Sequence, residues 1–492
     1  MCLWYTFFAA SSEEIPFGVN YRFLRGAQPP TVPDSILLYV FADFVTRPQH
    51  CFLLFVFQGR SPDLPMAFDW MEMLSALPGV FVILVYLCIN RITFCAEYVL
   101  RTCKLCYNNT ITTTEERIMS DYNENSIWPS FHKDLGQDVE CDWYPAEEAP
   151  IEVRGLAFFH ENKKYYRYPG NPPEPLTPGI IGNAKGPSGG QICFSANASL
   201  IKVRVEFTKV PLMTYNVPPL AAMGLDVYVS KGEGKYAMCG VARFDVGNDR
   251  YETVPVYWGT PRKLDYIINL PIRAEIKRIW IGIPKGEGIL PPPPLENKSR
   301  ILIYGGSIMH GYCATRPGMT MPNILSRRLK REVINLGVSG AAKCEREAAL
   351  AVRMVDNVSI LIISAEGNCP SVEHIYEHLP EFIRLFREVY PDIPIVLMSY
   401  MREGREYLKT GYTKERRAKK DCLIRITNEF REAGDKNIHF WDGEEFTEGE
   451  EDIVFEGFSA GEDCTVDTQH KSDLGFWLMA NGMMRRMREL EF

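Results

Sequence analysis

Between residues 299 and 492, short apolar runs alternate with stretches whose apolar residues recur every three to four positions. The runs are Ile301–Tyr304, Val333–Leu336, Ile360–Ile363, Ile395–Met398 and Ile438–Trp441. Each is too short for a helix and reads as a buried strand. Between the third and fourth, Val372, Ile375, Tyr376, Leu379, Phe382, Ile383 and Phe386 fall on one helical face; between the fourth and fifth, Leu423, Ile426, Phe430 and Ala433 do the same. Ser472 is a good N-cap for a last helix running towards Leu490. Pro380 is expected to kink or split its helix, because proline removes a helical hydrogen bond. Strand–helix alternation predicts an α/β fold, a three-layer sandwich around a five-stranded parallel sheet.

The period changes upstream. In residues 140–296, Ile201 to Phe207 (IKVRVEF) and Leu225 to Val229 (LDVYV) alternate apolar and polar residues, and Tyr251 to Tyr257 and Arg278 to Ile283 continue the pattern. Gly and Pro clusters separate them and no helical stripe appears. Several short strands with turns between them predict an all-β sandwich or jelly roll. Pro291–Pro294 forms a stiff spacer. The expected division is therefore 140–296 for the β-sandwich and 297–492 for the α/β domain.

Residues 1–118 differ from both. They are rich in Phe, Leu, Val and Cys, hold six of the fourteen cysteines, and show no clean period. Met73 to Ile89 carries no charge and reaches the lower limit for spanning a bilayer. It reads as a membrane segment, or as a buried core helix or a part absent from the mature protein. Localisation is left between membrane-anchored and cytoplasmic, and the oligomeric state is open. Cys103 and Cys106 form a single CxxC, short of the four ligands zinc needs. The other eight cysteines are scattered singly, which suits buried thiols better than a disulfide scaffold. With 54 Lys+Arg against 62 Asp+Glu, the net charge of −8 argues against a nucleic-acid partner.

In an open α/β sheet, function gathers at the carboxyl ends of the strands. After the first run, Gly305-Gly306-Ser307-Ile308 delivers a serine just before a helix, with its hydroxyl exposed. After the second, Gly337-Val338-Ser339-Gly340 offers backbone N–H groups for close approach to a ligand. After the third, Asn368 can donate from its amide. Before the last helix, Asp467 stands three residues ahead of His470 and can hold its tautomer. Together these supply a nucleophile, oxyanion donors, a base and its orienter, the set an ester hydrolysis needs.

These four blocks resemble the SGNH (GDSL-type) hydrolases. They read GGSIMHGYCATRPGM from Gly305, NLGVSGAA from Asn335, ISAEGNCP from Ile363 and TVDTQHKSDLGF from Thr465. Upstream, GLAFFHENKKYYRYP (Gly155 to Pro169) and MGLDVYV (Met223 to Val229) resemble the β-rich domain named for its Gly-x-Asp-Leu-Tyr motif. The resemblance covers about residues 140–492. It implies Ser307 as nucleophile, His470 as base, Asp467 as its orienter, and the Gly340 N–H and Asn368 amide as oxyanion donors beside the Ser307 N–H. It implies no metal and no organic cofactor. The chain departs from the family pattern at His310, Cys369 and Lys471. His310 and Arg316, in the first block, are expected to line the substrate pocket and to allow a charged leaving group. His310 could compete with His470 as base, but no acidic residue stands within six positions of it.

The expected activity is hydrolysis of short acyl esters, acetyl groups on carbohydrate among them, through an acyl-enzyme. A carbohydrate-binding protein with a degenerate hydrolase domain and an acyltransferase using the same serine are the alternatives. His374 and His378, four apart on a helix, read as surface histidines rather than metal ligands. Tyr165, Tyr166 and Tyr168 read as core packing ahead of sugar stacking. The acidic run Glu444–Asp452 reads as a solvated loop. Asn108, Asn197, Asn297 and Asn357 head glycosylation sequons that matter only in a secretory setting.

Overall fold

The computed structural model describes residues 135–232, 234–446 and 464–490, with the backbone of three strands nearer the N-terminus. The chain divides into two units, Met1–Asn123 and Glu124–Phe492. In the first, β1 (Thr6–Phe8) runs parallel to β2 (Leu38–Thr46), which pairs antiparallel with β3 (Gln49–Phe57). Residues 73–89 and the Cys103/Cys106 pair lie outside the described residues. Among the described residues no helix is long and apolar enough to cross a membrane.

The second unit opens with an antiparallel sheet of eight strands: β4 (Cys141–Pro145), β5 (Glu152–Arg154), β6 (Gln191–Phe207), β7 (Asp226–Ser230), β8 (Tyr236–Val241), β9 (Arg250–Asn269), β10 (Ile276–Pro284) and β11 (Gly288–Leu290). Its order is β4-β10-β6-β9-β7-β8, with β5 and β11 also on β6. The strands expected to be short include two long ones, β6 of 17 and β9 of 20 residues. The reason lies in β6. Its buried core positions are Ile192, Phe194, Ala196 and Ala198, then Ile201, Val203, Val205 and Phe207. The parity changes where the β6–β9 register shifts, between Ala198 and Leu200. A bulge of this kind bends the strand and keeps both halves facing one core. Residues 191–196 are buried on both faces, so they carry no alternation to read.

The second sheet holds β12 (Arg300–Gly305), β13 (Val333–Gly337), β14 (Val358–Ser364), β15 (Ile395–Met398) and β16 (Ile438–Trp441), all parallel, in the order β13-β12-β14-β15-β16. Alternate residues of each strand enter different cores, as the period of two requires. Leu302, Tyr304, Leu361 and Ile363 pack with the helices Arg346–Val352, Val372–Arg387 and Tyr412–Glu432. Ile301, Ile303, Ile360 and Ile362 pack with Met321–Leu329 and Asp473–Glu489. The result is the α/β/α sandwich. Pro380 does not split its helix, which runs unbroken from Val372 to Arg387. Pro380 is buried, and the packing of its helix through Leu379, Phe382 and Ile383 into the core offsets the lost hydrogen bond.

Candidate active site

Ser307 begins the short helix Ser307–His310 straight after β12. The two preceding glycines are required by close approach. A Cβ on Gly305 would stand 2.3 Å from the Ser364 carbonyl oxygen; one on Gly306 would stand 2.6 Å from Asn368 Oδ1 and 2.9 Å from the Tyr400 hydroxyl. Ser307 is only 5% exposed, so the turn shields the hydroxyl instead of presenting it freely. Its Oγ lies 3.0 Å from His470 Nε2, and His470 Nδ1 lies 2.7 Å from Asp467 Oδ2. Asp467 Oδ1 also accepts the N–H groups of His470 at 2.8 Å and Gln469 at 3.2 Å. Between Asp467 and Gln469, Thr468 adopts φ +67°, uncommon for a β-branched residue and costing about 1–3 kcal/mol. Burial works to raise the Asp467 pKa. The His470 N–H, its ring and the Asn216 amide outweigh burial and hold the carboxyl below its ordinary value.

The oxyanion candidates come from three loops. Asn368 turns its Oδ1 to the Ala342 N–H at 3.4 Å, which leaves Nδ2 to donate elsewhere. Gly340 is exposed, at φ +70°, with nothing within 4 Å of where a Cβ would stand. Among the described residues, no protein acceptor takes the N–H of Ser307 or Gly340.

The loop Gly337–Gly340 is held by the β-rich half. Arg167, fully buried, donates to the carbonyls of Asn335 at 3.0 Å and Gly337 at 2.5 Å. Burial lowers its pKa to about 10, still a cation at neutral pH. Asn183 clamps both the N–H and the carbonyl of Ser339 at 3.1 Å. The Asn368 loop is held by Glu366, whose Oε1 accepts the Tyr400 N–H at 2.8 Å. Among the described residues its Oε2 is buried without a partner, and burial pushes its pKa up to about 7.

Two expected substrate contacts are corrected. His310 does not face a pocket. It is 3% exposed, its Nε2 lies 2.9 Å from the Ile272 carbonyl of the β-rich half, and burial with Arg167 nearby drives its pKa well down. Arg316 is paired with Asp226, whose carboxyl is wholly buried, and with the Tyr228 hydroxyl at 2.7 Å. Asp226 also accepts the Gly318 N–H at 2.9 Å. Gly224, Asp226 and Tyr228 are the motif residues of the upstream domain, and here the latter two latch the loop that follows the nucleophile.

Three further residues surround Asp467 and His470, Asn216 and Arg273 from the β-rich half and Tyr312 from the loop after the nucleophile helix. Asn216 donates to Asp467 Oδ2 at 2.7 Å. The Tyr312 ring packs 5.1 Å from the His470 ring, and Arg273 lies 5.6 Å from the Tyr312 centroid. Tyr312 stands within the first block, but nothing there marks its place beside the base; no motif marks Asn216 and Arg273, because each acts across a long sequence separation. Cys313 Sγ, an Asp467 oxygen and a His470 nitrogen lie within 4.8 Å of one another, a set that could grip a metal ion. Burial and the Asp467 charge push the Cys313 thiol up to about 12, so it is protonated at neutral pH.

The remaining candidates make no contact with Ser307, Asp467 or His470. His374 and His378 stack at 4.0 Å, with His374 Nε2 on the Lys343 carbonyl and His378 Nδ1 on the His374 carbonyl. Tyr165 and Tyr168 are core residues, each 2% exposed. Glu444 is not solvated: Arg416 and Lys420 pair with it and hold its pKa down at about 2 against burial.

Residues 298–488 match the GDSL-like lipase/acylhydrolase family, and residues 141–289 match the N-terminus of SGNH-hydrolase-type esterases. Among solved structures, a protein described as a GDSL-like lipase from Bacteroides ovatus ATCC 8483 is 24% identical, with a TM-score of 0.61 over 71% of this chain and 98% of that one. The salicylyl-acyltransferase SsfX3 from a tetracycline biosynthetic pathway is 17% identical, with a TM-score of 0.55 over 71% and 98%. Both likenesses are of fold. No curated protein matches the chain.

Proposed function

The chain belongs, over residues 141–488, to the SGNH (GDSL-type) hydrolases, and from that premise we propose that it is a serine esterase acting on short acyl esters of carbohydrate or small alcohols. Ser307 attacks the ester carbonyl while His470 takes its proton, and Asp467 holds the imidazole in the required tautomer and balances the imidazolium that forms. The Ser307 and Gly340 N–H groups and the Asn368 amide receive the oxyanion. His470 then protonates the leaving alcohol, and water reverses the path to free the acid and restore Ser307.

The observation that carries this reading is the unbroken relay, 2.7 Å from Asp467 to His470 and 3.0 Å from His470 to Ser307. A degenerate, purely binding protein would not need it. The test is a panel of p-nitrophenyl esters of increasing chain length, followed by acetylated sugars, run beside fluorophosphonate labelling. Turnover that falls with chain length and labelling confined to Ser307 are expected. Absence of both would leave a binding protein. Analysis of products with added alcohols decides whether water or a second alcohol takes the acyl group.

A further inference from the structure

If His470 protonates the leaving oxygen, as proposed above, the alcohol must lie on the His470 side of Ser307. The protein around that side comes from Tyr312 of the α/β half and from Thr214, Asn216 and Arg273 of the β-rich half. Tyr312 covers one edge of the His470 ring. Asn216, which shares Asp467 Oδ2 with His470, follows a loop stretch on which Leu212 and Tyr215 are 78% and 93% exposed. Arg273 lies over Tyr312 and donates from Nη1 to Thr214 Oγ1 of the same loop at 3.1 Å.

Arg273 is chemically unlike its neighbours. Arg316, Arg387 and Arg405, partly buried as it is, close on Asp226, Asp435 and Glu403. Arg273 closes on no carboxylate among the described residues, and one neutral hydroxyl takes one of its five N–H groups. A half-buried guanidinium with donors to spare, beside an aromatic face, is a fork for a planar or tetrahedral anion. In a protein of net charge −8, an anionic ligand needs such a local cation to settle.

We propose that this is the leaving-group subsite and that it takes an alcohol bearing an anionic group, a carboxylate or a sulfate, with Arg273 as the anion binder and Tyr312 beside it as an apolar face for the alcohol's ring. The charged leaving group expected at Arg316 and His310 is thus received by a residue of the other half.

The test compares three O-acetyl esters on the full chain: methyl glucoside, methyl glucuronide and glucose 6-sulfate. The wild type should prefer at least one anionic ester over the neutral one by roughly tenfold or more in kcat/KM, mainly through KM, the scale of one hydrogen-bonded charge. That preference should shrink with added salt. Arg273→Gln should bring the anionic-to-neutral ratio close to one, and Arg273→Lys should keep part of it. The two anionic arms say whether carboxylate or sulfate is read. Turnover of p-nitrophenyl acetate with no anionic preference, or a preference retained in Arg273→Gln, overturns the subsite alone. No turnover of any ester overturns the hydrolase reading, and the subsite with it.

Discussion

Asn216 donates its side-chain amide to Asp467 Oδ2, the same oxygen that holds His470 Nδ1, and both contacts measure 2.7 Å. The carboxylate that orients the base is thus itself held from a turn of the β-rich half. Hydrogen bonds to charged groups are worth about 1.5–3 kcal/mol, and water entering the space left by the amide can replace part of one. Asn216→Ala should therefore lower kcat about tenfold with little change in KM on a small neutral ester. Asn216 also helps hold Asp467 below its ordinary pKa. Its loss lets that pKa rise, so the acid-side fall in activity should begin at higher pH than in the wild type. An unchanged pH profile would reduce Asn216 to a packing residue.

Substitutions in the relay have steeper effects. Ser307→Ala should abolish turnover while leaving Tm nearly unchanged, because among the described residues the Oγ is held only by His470. His470→Ala should lose at least about 10³-fold in kcat. Asn368→Ala should lose on the order of 10²–10³-fold, the scale of one oxyanion donor. Steady-state kinetics on p-nitrophenyl acetate measure all three; a His470→Ala protein that keeps its rate would move the base elsewhere.

The parallel sheet and the relay are legible in the sequence because both are written in local patterns. Ile360–Ile363 is a buried run between helical stripes, and Asp467 and His470 stand three residues apart. The β-rich half is less legible. The buried pattern of Gln191–Ala198 does not alternate, and the bulge after Ala198 shifts the parity of the second half of the strand. His310 reads as a pocket residue because sequence places it three positions from Ser307. Its partner, Ile272, lies in the other half, and only the fold brings the two together. Asn216 and Arg273 leave no signal for the same reason.

His310 should matter for stability instead of substrate preference. Its ring is buried at the seam and donates to the Ile272 carbonyl. Replacing it by Ala orphans that carbonyl and opens a cavity, at a cost of about 2–4 kcal/mol. Urea unfolding of His310→Ala should show this loss. The ratio of kcat/KM between substrates should stay within about twofold of wild type; a large change in that ratio would return His310 to the substrate pocket.

Glu366 should make the protein lose stability as pH rises. Burial lifts its pKa from the usual 4.5 to about 7. Above pH 4.5 the unfolded chain ionises this carboxyl while the folded protein still holds the proton, so stability drains away up to about pH 7 and is then constant. At 1.36 kcal/mol per pH unit the full effect is about 3 kcal/mol. Glu366→Gln mimics the protonated acid and keeps an acceptor for the Tyr400 N–H. Its Tm should match the wild type near pH 4.5 and exceed it increasingly up to pH 7. Parallel curves would mean that Glu366 ionises normally in the folded state.

The β-rich half should prove inseparable from the catalytic sheet, whereas residues 1–118 should not. The second unit begins at Glu124, and every group of the candidate site lies beyond it. A protein of residues 119–492 should fold in one cooperative urea transition and keep full kcat/KM on p-nitrophenyl acetate. Residues 297–492 alone should fail. Their loss of Arg167 and Asn183 frees the Gly337–Gly340 loop, and their loss of Asp226 strands Arg316. Phe158, Tyr168, Leu176 and Ile180 share one apolar cluster with Leu336, Val338 and Ala341, so the cut also bares apolar surface that water cannot satisfy. That fragment is expected to aggregate, or to bind a hydrophobic dye and lack activity. Were it soluble, cooperative and as active as residues 119–492, the β-rich half would be an appendage, and Asn216 and Arg167 would have no part in holding the site.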